Sequence, residues 1–145
     1  MNLIQRLGKW TLVIVILLSI GLVGGGMMLS PAFTVQRSLI VDAPPQQVYA
    51  WVADPRGWKQ WSIWTQRDPA MAITYSGPAS GAGAAWSWQS ASEGDGKMTF
   101  TSVEPGRRVA FELQLAGFDT TSRGELRFAP EGSGTRVTWT MDGDT

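Results

Sequence analysis

The sequence contains no histidine and no cysteine, which removes the commonest general base, the commonest transition-metal ligand and every thiolate nucleophile. Any chemistry must therefore come from Asp, Glu, Lys, Arg and Tyr. Tyr75 shares the parity of Met71 and Ile73 in a stretch of period two, so its ring points inward and its hydroxyl could donate to a ligand carbonyl. A core tyrosine with its hydroxyl at the rim accounts for it as simply. Glu112, Arg123, Glu125 and Arg127 fall on the opposite, wet parity of their segments and suit cross-strand surface pairs. Asp54 and Arg56 fit a helix-end contact better than an acid–base pair. Gly81-Ala82-Gly83 resembles a phosphate loop only in composition, since neither a lysine nor a helix follows. No catalytic constellation and no metal site emerges, and no cofactor is implied.

Tryptophan is the other chemical signal. WVADPRGWKQWSIW, residues 51 to 64, carries Trp51, Trp58, Trp61 and Trp64. Val48, Trp51 and Val52 recur at i, i+3, i+4, which marks one apolar helix face and makes Trp51 a core residue. Trp58 and Trp61 sit three apart and pack across a helix junction. Trp64, beside Ser62 and Thr65, is the member of the cluster best placed to touch a ligand or a membrane interface.

The elements that position these residues can be read from periodicity. FTVQRSLIV, residues 33 to 41, alternates as a first strand with Phe33, Val35, Leu39 and Val41 on one face. Asp42 can cap a following helix whose first turn tolerates Pro44 and Pro45. Pro55 and Gly57 end that helix, and a second helical turn runs from about Arg56 to Trp61. Six alternating segments follow, separated by SGPASGAG, by a hairpin turn at Glu93–Gly96 and by further turns. Their apolar positions are Met71, Ile73 and Tyr75; Trp86 and Trp88; Met98 and Phe100; Val109, Phe111, Leu113 and Leu115; Leu126 and Phe128; and Val137, Trp139 and Met141. The pattern is an α+β domain, with two short helices after the first strand of an antiparallel meander buried on one face.

Ahead of this domain, WTLVIVILLSIGLVGGGMML, residues 10 to 29, passes twenty positions without a charge, enough helix to span about 30 Å of hydrocarbon. Arg6 and Lys9 precede it and no positive charge follows until Arg37. The expectation is a single-pass anchor in the cell membrane, with a cytoplasmic N-terminus and the domain on the outer side. Residues 1–32 are then anchor and short linker, and 33–145 the domain. A signal peptide cleaved near Ser30-Pro31-Ala32 is the alternative, and Gly21-x-x-x-Gly25 offers a helix-packing face. The domain carries ten basic against twelve acidic residues with no basic block, which argues against a nucleic-acid partner.

APPQQVYAWVADPRGWKQWSIW, followed by DPAMAITYSGPASGAGAAWSWQ and GTRVTWTMDGD, resembles the SRPBCC superfamily. More narrowly, it resembles membrane-anchored bacterial members of the polyketide cyclase/dehydrase family, over residues 33 to 145. The resemblance implies a START-like helix-grip fold: a curved sheet wrapped around a long C-terminal helix, with a hydrophobic cavity between them and the two short helices closing one end. Candidate cavity residues are Trp61, Trp64, Tyr75, Trp86, Trp88, Phe100, Phe111, Leu113, Phe128 and Trp139. The family pattern continues past the last strand into the long helix, whereas this sequence ends at MDGDT. The expectation is a C-terminally incomplete domain whose inner face (Trp86, Trp88, Phe100, Phe111, Phe128 and Trp139) is left open to solvent, to a partner or to self-association. Three functional readings remain: a membrane-tethered binder of a hydrophobic small molecule or lipid, a cyclase- or dehydrase-like enzyme acting on a hydrophobic carbonyl substrate, and a protein-interaction module.

Overall fold

A computed structural model describes residues 32–144. Residues 10–29, expected to span a membrane, lie outside the described residues; among those described, no helix is long and apolar enough to cross one. The chain runs β1 (Ala32–Val41), α1 (Pro45–Ala53), α2 (Trp58–Trp61), α3 (Ile63–Arg67), β2 (Ala72–Ser76), β3 (Ala85–Gln89), β4 (Gly96–Glu104), β5 (Arg108–Leu115), β6 (Thr121–Glu131) and β7 (Gly134–Asp144). All seven strands form one curved antiparallel sheet in the order β1-β7-β6-β5-β4-β3-β2. Six strands do follow the helices, and each is joined to the next by a hairpin. The sheet is completed when β1 pairs with β7 from Ala32↔Asp144 to Val41↔Thr135.

Alternation decides which face each strand buries. Trp86, Trp88, Met98, Phe100, Val109, Phe111, Leu113, Leu126, Phe128 and Val137 are all buried, while their neighbours in sequence mostly face water. A bulge between Phe100 and Ser102 interrupts the β4–β5 register, which bends and twists the strand pair locally. On the wet face Arg123 approaches Glu112 across the strands at 3.6 Å, as anticipated, whereas Glu125 accepts from Arg127 on its own strand and from Arg108, which was not anticipated, on the neighbouring one.

Three short helices cross the concave face, not two. The second helical region breaks at Ser62 into α2 and α3. Asp42 does not cap α1; Pro44 holds that position without a side-chain hydrogen bond, and Pro45 supplies the first turn, where a missing N–H is harmless. Val48, Val52 and Ala53 are buried against the sheet. The loop between β1 and α1 is tied down by buried Thr135, whose hydroxyl donates to the Ala43 carbonyl at 2.7 Å. The Glu93–Gly96 turn is tied as well: the Ser90 hydroxyl donates to Asp68 and accepts from the Glu93 N–H, while Asp95 accepts the Ser90 N–H.

The expected open inner face is corrected by this arrangement. Trp86, Trp88, Phe100, Phe111 and Phe128 are buried, and Trp139 is half-buried. The reason is Trp58. Only 2% exposed, it drops from α2 onto the middle of the sheet, with ring centroids 5.0 Å from Trp86, 5.9 Å from Phe111, 5.9 Å from Trp139 and 6.2 Å from Phe100. Its indole N–H donates to the Val52 carbonyl at 2.8 Å, so the one polar atom of the ring is satisfied inside the core.

Candidate functional site

Two recesses flank the Trp58 plug, and they differ in kind. Beneath α2 and α3 lies a recess of only about 20 Å³, lined among others by Trp64, Tyr75, Trp86 and Trp88. That is room for about one water. Trp64 does not reach into a ligand space: its ring stacks on Trp88, with centroids 6.2 Å apart and planes 14° from parallel. Tyr75 lies under the Arg56 guanidinium, 4.8 Å from ring centroid to Cζ. Burial holds its hydroxyl above the ordinary tyrosine value, against the pull of the Arg56 charge and with help from Asp54. The Asp54 carboxylate accepts the Arg56 backbone N–H at 2.8 Å, the helix-end contact expected of this pair.

On the other side, between α1 and the β1–β7–β6 part of the sheet, opens a groove of about 370 Å³. Leu39 and Val41 of β1, Val137 and Trp139 of β7, Leu126 of β6, Val48, Trp51 and Val52 of α1, and Trp61 of α2 form its walls, with Arg37 and Ser38 at its polar edge. Its volume falls within the range of small-molecule sites, and its apolar lining with few polar groups matches their usual make-up. Arg37 is the only titratable side chain among the lining residues. Ser38 is engaged, its hydroxyl 3.0 Å from that of Thr138. Trp61 donates its indole N–H to the Trp51 carbonyl at 3.4 Å. The Trp139 Nε1 is buried and finds no acceptor among the described residues, an exception in a folded interior where polar groups are normally paired.

The ten candidate cavity residues thus separate into three sets. Trp61 and Trp139 line the groove, while Trp64, Tyr75, Trp86 and Trp88 line the small recess. Phe100, Phe111, Leu113 and Phe128 are buried in the core that supports both.

Trp51 was expected in the core and is instead 47% exposed at the groove mouth. The helix explains why. Relative to Val48, Val52 lies about 40° and Trp51 about −60° around the axis, so Trp51 falls on the flank of the buried stripe. Arg37 was also missed, although its parity in β1 sets it among Phe33, Val35, Leu39 and Val41. A charge on an otherwise apolar strand face was the signal available. Among the described residues no acidic cluster could hold a metal ion.

Residues 32–145 match the family described as polyketide cyclase/dehydrase and lipid transport. The chain belongs to that family. No curated protein sequence matches it. Among solved structures, a Rhizobium leguminosarum protein superposes with a TM-score of 0.63 at 18% identity, covering 77% of this chain and 76% of its own. CalU16 from Micromonospora echinospora gives 0.57 at 23% identity, covering 79% of this chain; this chain spans 62% of CalU16. The Aha1 dimer from Colwellia psychrerythraea gives 0.54 at 16% identity, with 74% of each chain covered. Identities this low establish the shared helix-grip fold.

Proposed function

We propose that the protein is a membrane-tethered binding domain for a small hydrophobic molecule or lipid, with no chemistry of its own. Residues 10–29 would hold it in the cell membrane, N-terminus in the cytoplasm and domain outside. The groove between α1 and β1–β7 carries this reading: about 370 Å³ walled by aliphatic and indole side chains, with no carboxylate in its lining. A general acid or base would have to face the bound molecule to transform it, and none of the lining residues supplies one. Binding alone suits such a surface, since covering apolar walls is favourable by about 25 cal/mol per Å². Membership of a family that includes lipid transport supports the same reading.

The test is titration of the full chain with an environment-sensitive hydrophobic dye. Saturable binding is expected, weakened about tenfold by Trp51→Ala, which removes a groove wall from an exposed position. A dye that does not saturate, or an affinity that Trp51→Ala leaves unchanged, would contradict the assignment.

A further inference from the structure

The one charged group around the groove is positive. Arg37 contributes a guanidinium, a donor without acceptor capacity, whereas the Trp61 N–H is already given to the Trp51 carbonyl and the Trp139 N–H is buried. Ser38, the one hydroxyl in the lining, shares a hydrogen bond with Thr138 and carries no charge. Arg37 forms no ion pair among the described residues, and its one hydrogen bond runs from Nη1 to the adjacent Gln36 carbonyl. The β1–β7 register sets Arg37 directly across from Trp139, whose buried Nε1 has no acceptor. An apolar groove edged by one cation that forms no ion pair among the described residues is complementary to an apolar chain ending in an anionic group.

We propose that the groove binds a single-chain anionic amphiphile, a fatty-acid-like carboxylate, with its chain along Leu39, Val137 and Trp51 and its head at Arg37. This rests on the ligand-binding reading above and adds the class of ligand. Guanidinium matches carboxylate in geometry and charge, and a charge-assisted bond beside an apolar wall is stronger than one in open water. A neutral head would leave Arg37 as it is and gain less.

The full 145-residue chain, held in phosphatidylcholine nanodiscs, is titrated at pH 8 with 12-bromododecanoate and separately with 12-bromododecan-1-ol. Quenching of tryptophan fluorescence reads occupancy, and comparison with Arg37→Gln in the same discs cancels quenching that arises within the bilayer. The acid is expected to bind the native chain about tenfold more tightly than the alcohol, and Arg37→Gln to abolish that preference by weakening the acid alone. The alcohol arm also shows that the variant is folded. Equal affinity for the two probes, or equal loss of both in Arg37→Gln, would overturn the anionic head while leaving a hydrophobic site in place. Failure of both probes to bind the native chain would remove the site itself.

Discussion

At the scale of single residues, burial separates positions that look alike in composition. Phe111 is 1% exposed and touches both Trp58 and Trp139, whereas Glu112, its neighbour, reaches the wet face and Arg123. Phe111→Ala should destabilise the domain by about 3–5 kcal/mol and Glu112→Ala by no more than about 0.5 kcal/mol, as read by equilibrium denaturation. Equal effects would mean that the faces of β5 are reversed. Glu125 gives a pH signature. Its partial burial favours the protonated form, but hydrogen bonds from Arg127 and Arg108 outweigh this and hold the carboxyl below the ordinary value of 4.5. A carboxyl depressed on folding stabilises the native state fully above that ordinary value. Its contribution then fades as pH falls through the lower native one. Glu125→Gln should therefore be less stable than the native domain at neutral pH, and the gap should close on the acid side of about pH 4.5. A gap that persists unchanged to pH 2 would refute this role for the ion pairs.

At the scale of elements, the strands were legible because their alternation is nearly unbroken. Trp86 and Trp88, or Phe111 and Leu113, declare their faces without any knowledge of partners. The helices were less legible. Nine residues of α1 contain too few turns to define the centre of a stripe, so Trp51 reads as core although it lies on the flank. The break at Ser62 has no proline or glycine to announce it, and Trp58's position at the centre of the sheet depends on contacts with four strands far away in sequence. The SGPASGAG loop between β2 and β3 was legible as a turn, but not its tightness. Gly77 adopts a φ of 74°, and a Cβ there would lie 2.2 Å from the Gly83 carbonyl oxygen. Gly94 has a similar φ of 77° with nothing within 4 Å. Gly94→Ala should therefore carry only the left-handed strain of about 1–2 kcal/mol, and Gly77→Ala distinctly more, because backbone must also move. Comparable losses at the two sites in denaturation experiments would show that the loop is looser than described.

At the scale of the domain, the inner-face aromatics Trp86, Trp88, Phe100, Phe111 and Phe128 form one buried core with Trp58. α1, α2 and the Trp58 plug cover the centre of the concave face, and among the described residues a groove opens beside β1. Its composition was legible in part: Trp61 and Trp139 were recognisable as cavity candidates and Val48 shares a helix with Trp51, whereas Leu39 and Val137 are brought beside them by the β1–β7 closure. That closure joins the two ends of the domain's sequence, and local periodicity carries no information about it. Whether this groove holds a hydrophobic molecule is read by native mass spectrometry of the full chain extracted from membranes. The expected result is a chain carrying one small hydrophobic molecule or lipid, with that adduct lost in Leu39→Trp, where a larger ring at an exposed groove position fills the space. A bare chain mass for the native protein, or an adduct that Leu39→Trp leaves intact, would contradict it.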